Sequence, residues 1–171
     1  MQQTQLDIHL HIPYPAVHAE GPNMQYARIM LDNIGGGNSE MSSVSLYMYN
    51  SLVAPEPAVA AVFREIQTVE QRHLEIFNQF AMQLGENPRL WTQRGRRKVY
   101  WTPGYNVYSR NLPVILTDAI ESEQAAIRKY EYQAGMILDR NIVENLRRII
   151  QDEKRHAEIF QELHRQYCDN A

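Results

Sequence analysis

Four long stretches of the sequence carry apolar residues at intervals of three and four positions, separated by polar and charged residues. This spacing places the apolar side chains on one side of an α-helix, so each stretch is predicted to form an amphipathic helix. In the second stretch, for example, Val62, Ile66 and Val69 are followed by Ile76 and Phe80. The four helices are predicted to begin near Asn23, Pro57, Pro113 and Asn141.

Two segments, residues 1–22 and 85–112, lack the helical pattern. In the first segment, apolar residues from Ile8 to Ile12 alternate with histidines and are followed by two prolines, which predicts an extended arm lying on the helices. The second segment is predicted to be a long non-helical crossover between the second and third helices. The helical domain itself is expected to span residues 23–171.

The first predicted helix runs from Asn23 to about Val53 and contains three consecutive glycines, Gly35 to Gly37. Each glycine inside a helix costs about 1 kcal/mol relative to alanine. A break or a bulge at the glycines is therefore the alternative to a continuous helix.

The second and fourth helices carry the same short motif. Residues 70–77 read EQRHLEIF and residues 153–160 read EKRHAEIF, so six of eight positions are identical at an offset of 83. The same offset relates Glu40 to Glu123, and each of these glutamates lies 30 residues before its motif. The chain is therefore predicted to be an internal duplication of a two-helix unit.

Each motif contains Glu-x-x-His, and residues three apart in a helix point to the same face. In an antiparallel hairpin, residues equidistant from the turn lie at the same height. The midpoints between the upstream glutamates and the motifs fall at Pro55 and Leu138, and both positions lie in sequences typical of turns. Each hairpin is therefore predicted to bring two carboxylates and one imidazole to one level.

Two such hairpins packed face to face bring together four carboxylates and two imidazoles. Buried, ionised carboxylates close to one another are strongly unfavourable without compensating charge, and two divalent cations supply four positive charges. The alternative is an ordinary bundle with two Glu-His pairs at its surface. The predicted metal ligands are Glu40, Glu70, His73, Glu123, Glu153 and His156.

This ligand pattern resembles that of the ferritin-like dimetal proteins of the rubrerythrin and manganese-catalase group. The resemblance covers Pro13-Tyr14-Pro15, the glycine-rich run with Glu40 at 35–43, and both helix pairs. It implies an all-α, ferritin-like four-helix bundle of two duplicated antiparallel hairpins that holds two divalent iron or manganese ions. The chain departs from manganese catalases in its shorter crossover and in ending about fifteen residues after His156, as shorter spore-coat relatives do.

The resemblance also implies roles for three further groups. In manganese catalases the glutamate of the second Glu-x-x-His is a proton-handling residue, so Glu153 is expected to be catalytic, either as a ligand or beside the metal ions. Tyr47 and Tyr130 lie seven residues after Glu40 and Glu123, about two turns along the same helix face. They are predicted to donate hydrogen bonds to the carboxylates, and ordinary core tyrosines are the alternative.

Hydrogen peroxide or dioxygen is the substrate that the resemblance implies, with three activities open. A manganese catalase splits peroxide without an outside donor. A rubrerythrin-like peroxidase needs an external electron donor here, because the single cysteine, Cys168, excludes a four-cysteine iron site in this sequence. The third option is iron storage or a non-catalytic metal-binding role. The ligand set suits iron and manganese alike.

Composition limits the number of domains, the kinds of binding partner and the cellular location that are expected. The 171 residues, 44% of them hydrophobic, are enough for one domain with a sizeable core, and a net charge of −3 favours neither a nucleic-acid nor a membrane partner. No signal peptide or membrane span is expected, which predicts a cytoplasmic protein. Related bundles and the aromatic crossover lead us to expect a homo-oligomer. Surface positions are expected for His9, His11 and His18.

Overall fold

The computed structural model describes residues 7–168, in which five α-helices and one two-stranded antiparallel sheet form. Residues 1–6 of the predicted arm and residues 169–171 of the predicted bundle lie outside the described residues. The elements are α1 (Met24–Gly35), α2 (Glu40–Val53), α3 (Pro57–Gln83), β1 (Trp91–Arg94), β2 (Arg97–Tyr100), a 3₁₀ helix (Pro103–Tyr105), α4 (Leu112–Met136) and α5 (Arg140–Tyr167).

The bundle is made of two helix hairpins, as predicted. Helix α2 packs along α3, and α4 packs along α5. The turns between them contain Pro55 and Leu138, the midpoints derived from the duplication. Within the described residues, no helix contains a stretch apolar enough to cross a lipid bilayer.

The prediction of one continuous first helix is wrong, because the glycine run divides it into α1 and α2. Gly36 ends α1 in an extended conformation, and Ser39 begins α2 by accepting a hydrogen bond from the backbone N–H of Ser42. Gly35 also lets another backbone come close, since an added Cβ would lie 2.5 Å from the backbone nitrogen of Trp91. The break therefore makes room for the crossover.

Polar side chains begin three other helices. Asn23 and Asn111 accept hydrogen bonds from the first-turn N–H groups of α1 and α4. Helix α5 is capped by Asp139, which accepts from the N–H groups of Asn141 and Ile142. The helix therefore begins at Arg140, one residue before the predicted start at Asn141.

The crossover is non-helical over most of its length, as predicted, but it contains the β1–β2 hairpin, which the sequence pattern did not indicate. Gly95 occupies the turn with a φ of 60°. The hairpin packs on α1, where the Thr92 hydroxyl donates to Asp32 Oδ1 at 2.8 Å. Trp101 donates from its indole nitrogen to Ser42 Oγ at 3.0 Å, which joins this part of the crossover to α2.

Described residues 7–22 form no helix or strand and lie across α3 and α5. Arg148 Nε donates to the carbonyl of Ile12 at 2.9 Å, and the backbone N–H of Ala19 donates to Gln83 Oε1 at 2.7 Å. The arm is thus held by backbone hydrogen bonds to side chains of the bundle. The three arm histidines, His9, His11 and His18, are exposed, as expected.

Buried apolar residues form two clusters, and the predicted ligands lie between them along the helices. On α3, Phe63 and Ile66 belong to one cluster, whereas Ile76 and Phe77 belong to the other. On α4, the buried residues before Glu123 belong to one cluster and those after it belong to the other. On α5, the division falls at residues 153–156. The polar layer is therefore enclosed by hydrophobic packing above and below.

We expect Gly35→Ala to lower the free energy of unfolding by about 1–3 kcal/mol, because its Cβ would overlap the backbone of Leu90 and Trp91. Gly135→Ala in α4 is the matched control, since its Cβ would have no atom within 4 Å and alanine favours a helix. Urea unfolding measures both. Equal effects of the two substitutions would contradict the packing argument.

Candidate metal centre

The structure brings all six predicted ligands into one buried cluster in the middle of the bundle. Each of the four long helices contributes: one glutamate comes from α2, one from α4, and a Glu-x-x-His pair from each of α3 and α5. None of the six is more than 2% exposed. They are Glu40, Glu70, His73, Glu123, Glu153 and His156.

The cluster divides into two overlapping groups of four, each with its ligand atoms within 4.8 Å of one another. One group adds Glu40 and His73, and the other adds Glu123 and His156, to a shared pair formed by Glu70 and Glu153. The shared carboxylates cross between the hairpins: His156 Nδ1 lies 2.9 Å from Glu70 Oε1, and His73 Nδ1 lies 3.2 Å from Glu153 Oε1. This is the layout of two neighbouring metal positions with two bridging carboxylates.

The donor atoms themselves fit metal ions. Glu70 Oε1, His73 Nδ1 and Glu153 Oε1 are buried and have no hydrogen-bond partner of good geometry. Buried polar atoms are normally satisfied, so carboxylate oxygens and an imidazole nitrogen that converge in this way fit a bound cation. Oxygen-rich sites with one imidazole per metal suit iron and manganese.

Tyrosines support the two carboxylates that the groups do not share. The Tyr47 hydroxyl donates to Glu123 Oε1, and the Tyr130 hydroxyl donates to Glu40 Oε1. Each bond joins one hairpin to the other, so each tyrosine serves the glutamate of the opposite repeat. Burial and the nearby carboxylates raise the pKa of both tyrosines well above the usual value, which keeps both hydroxyls as donors.

The pKa values of the four carboxyl groups diverge. Burial, together with the charges of Glu70 and Glu153, raises the pKa of Glu40 and Glu123 well above the ordinary value. Burial also opposes ionisation of Glu70 and Glu153, but the two histidines outweigh it and lower their pKa values. The shifts therefore favour the ionised form of the shared pair and the protonated form of the outer pair.

The two histidines balance the ionised pair. Burial lowers the pKa of an imidazole, but the contacts with Glu153 and Asp152 outweigh it and raise the pKa of His73 well above the ordinary value. In the same way, hydrogen bonds with Glu153 and Glu70 outweigh burial and raise the pKa of His156 to about 9. In the metal-free cluster, protons therefore occupy some of the same atoms that would bind metal ions.

The sequence analysis assigned no role in the site to three further residues, Asp152, Arg148 and Tyr14, because the duplication repeats none of them. Asp152 is 3% exposed and lies 3.1 Å, through Oδ2, from Nε2 of His73. Arg148 is paired with Asp152 at 2.7 Å, and Tyr14 of the arm donates to Asp152 at 2.6 Å. At the offset of 83, the first repeat has Val69 where the second has Asp152. In the sequence, Asp152 could have been found as an acidic residue that directly precedes a predicted ligand in one repeat but not in the other.

A surface cavity of about 240 Å³ opens beside this part of the centre. Its lining includes Val69 and Asp152, which directly precede the two shared carboxylates in sequence. Its lining residues are His9, Leu10, Ile12, Tyr14, Thr68, Val69, Arg72, Arg148 and Asp152.

Metal loading is expected to release protons, because the pKa values of both histidines and of Glu40 and Glu123 are raised and these groups must lose their protons to bind metal. Because protons compete with metal at groups of raised pKa, the apparent affinity should increase as pH rises toward about 9, the pKa of His156. Calorimetric titration with Mn²⁺ in buffers of different ionisation enthalpy measures the release. Binding without proton release would contradict this charge assignment.

Comparison with known proteins agrees with the fold. The model of the Rubrerythrin family matches residues 37–164, well over half of the chain. A "Probable manganese catalase" of Clostridium acetobutylicum is 27% identical over 167 residues, covering 85% of this chain and 73% of that protein.

Solved structures show the same fold at lower identity. Wild-type KatB, a manganese catalase from Anabaena, superposes with a TM-score of 0.83 at 19% identity, covering 94% of this chain and 80% of KatB. A dodecameric thioferritin from Bacteroides fragilis gives a TM-score of 0.66 at 17% identity, covering 82% of this chain and 85% of that one. The ferritin-like fold and the predicted cofactor, two iron or manganese ions, are those of this group. The chain belongs to the Rubrerythrin family.

Proposed function

We propose that this protein is a dinuclear manganese catalase, which converts two molecules of hydrogen peroxide into two of water and one of dioxygen. The observation that carries the proposal is the pair of overlapping four-residue groups that share Glu70 and Glu153. Similarity to the clostridial protein, named a probable manganese catalase, supports manganese and this reaction.

The reaction needs a two-electron store, because one peroxide is oxidised to dioxygen and the other is reduced to water. A bound pair of manganese ions supplies that store. In our proposal Glu40 and His73 would hold one metal ion, and Glu123 and His156 would hold the other. Glu70 and Glu153, which belong to both groups, would face both ions. Burial of the six side chains limits the access of bulk water to the bound ions.

Protons must also be held between the two halves of the reaction. Oxidation of peroxide releases two protons and two electrons, and reduction of the second peroxide consumes two of each. Glu153 is the proposed proton carrier, because its Oε1 lies 3.2 Å from His73 Nδ1 and its Oε2 lies 3.2 Å from His156 Nδ1. One carboxylate can carry one of these two protons from the first half of the reaction to the second.

The two tyrosines have an orienting role in this proposal. Each hydroxyl donates to Oε1 of one glutamate that belongs to a single group. Tyr47 donates to Glu123, and Tyr130 donates to Glu40. Since their raised pKa values keep them protonated, they act as fixed donors that hold each carboxylate in one rotamer.

A donor-dependent peroxidase containing iron is the second candidate. The match to the Rubrerythrin family favours it, and the ligand set suits iron as well as manganese. Because this sequence has one cysteine, a four-cysteine iron site within it cannot supply the electrons for that reaction, which would need another donor. The metal and the need for a donor therefore separate the two candidates.

Self-association is part of the proposal. After Glu40, helix α2 contains no charged residue, and it exposes half of Met48 and 75% of Leu52. An exposed helix face without charge is typical of a subunit contact. The Bacteroides thioferritin is described as dodecameric, and we propose a homo-oligomer here, acting in the cytoplasm.

The assay that tests the reaction follows dioxygen release from peroxide with no reductant present, using protein loaded with Mn²⁺ or with Fe²⁺. We expect release from the manganese form. Peroxide loss that occurs only with an added electron donor would replace the catalase proposal with the peroxidase. Metal uptake without peroxide loss would instead favour storage or a structural role.

The site itself is tested by Glu70→Ala and His156→Ala. Each variant is expected to lose at least about 100-fold in activity together with bound metal, because each removes a proposed ligand. Glu75→Ala is the matched control on the exposed face of α3, and His18→Ala is the matched control for an exposed imidazole. Full activity and metal content in the ligand variants would rule out this site.

A further inference from the structure

The two halves of the centre differ beside their histidines, although their ligands are related by the duplication. Next to Glu153 the chain has Asp152, one turn after Arg148. The residues at the same places in the first repeat are Val69 and Glu65. One repeat therefore carries a buried ion pair where the other carries an apolar side chain and an exposed glutamate.

The ion pair supports only one imidazole. Asp152 is a carboxylate that accepts from Arg148 and from the Tyr14 hydroxyl, so Nε2 of His73 must be the donor in their 3.1 Å contact. Tyr14 oxygen lies 3.2 Å from the same nitrogen and shares its proton. This leaves the Nδ1 lone pair of His73 directed at the metal position.

His156 has no such support. Its Nε2 is buried and has no hydrogen-bond partner among the described residues. Val69, the counterpart of Asp152, offers no acceptor. The ring is held by packing and by Glu70 and Glu153 on its Nδ1 side alone.

The N-terminal arm completes the support of His73. Arg148 is only 6% exposed and donates to the carbonyls of Ile12 and Leu10 at 2.9 and 3.4 Å. Its guanidinium carbon lies 4.5 Å from the centre of the Tyr14 ring. Arg148 thus ties the arm, Tyr14 and Asp152 into one unit on this side of the bundle.

We propose that Tyr14 is a positioning residue that acts through Asp152 on His73, so that the metal position formed with Glu40 and His73 binds its ion more tightly and releases it more slowly than the position formed with Glu123 and His156. The inference rests on the ligand assignment of the proposed function, but it does not depend on which reaction the centre catalyses. It makes the two metal positions unequal in a near-symmetric ligand set.

Two half-site variants related by the duplication allow a matched test. Glu123→Gln keeps the position at His73, whereas Glu40→Gln keeps the position at His156. Mn²⁺ titration of each metal-free variant, followed by the electron paramagnetic resonance of free Mn²⁺, measures one binding constant for each position. We expect the position at His73 to bind at least about tenfold more tightly, the usual effect of such a support on metal affinity.

Tyr14→Phe is then added to both variants. It removes the hydroxyl and keeps the ring beside Arg148, so affinity should fall about tenfold in the Glu123→Gln background and remain unchanged in the Glu40→Gln background. Tyr132→Phe is the control, because Tyr132 is 69% exposed. Equal affinities of the two half-sites, or an equal effect of Tyr14→Phe on both, would overturn the inference.

A second measurement uses the chain with all ligands intact. Removal of Mn²⁺ from the loaded protein by excess chelator should proceed in two phases, and Tyr14→Phe should accelerate only the slower one. A single phase, or acceleration of both phases, would overturn the inference even where a half-site variant fails to fold. Failure of the unsubstituted protein to bind two ions would instead reject the ligand assignment on which the proposed function rests.

Discussion

The structure depends on burying four carboxyl groups and two imidazoles at one level of a helical bundle. Such a cluster is stable only when its charges cancel. Without metal, the charges are cancelled by protons. The raised pKa values of both histidines favour positively charged imidazoles, which balance the negative charges of Glu70 and Glu153. Two divalent ions replace those protons and balance four carboxylates. The same constraint explains the apolar clusters on both sides, which exclude the water that would otherwise solvate the charges.

The duplication explains how a single chain can supply all six side chains of the cluster. A repeated hairpin supplies the same three side chains twice, and the shared carboxylates and the tyrosines then bond across to the opposite repeat. The layer that binds metal is thereby also the layer that joins the hairpins. Departures from the repeat, Asp152 in place of a second Val69 and the arm with Tyr14, give one half a support that the other lacks.

Helix hairpins, turn positions and all six clustered side chains could be predicted because they follow from local rules. Helical spacing sets which residues share a face, and an offset of 83 sets which residues share a level. The break after Gly35 and the β1–β2 hairpin have a different origin. The strands are only four residues long, β2 is mostly exposed, and arginine or lysine lies on both, so they carry little apolar alternation of their own. They form where they do because Trp91 packs against the bare backbone of Gly35 and Thr92 reaches Asp32.

The sequence by itself determined the bundle, the duplication and the identity of the clustered acids and imidazoles, because each is written in spacing along a single helix or between equal repeats. Tertiary structure decided which tyrosine meets which glutamate, since Tyr47 and Glu123 are 76 residues apart and lie in different hairpins. It also decided that the arm reaches Asp152 and His73, a contact between residues 138 positions apart. Such contacts arise only when separate elements pack, and no local pattern encodes them.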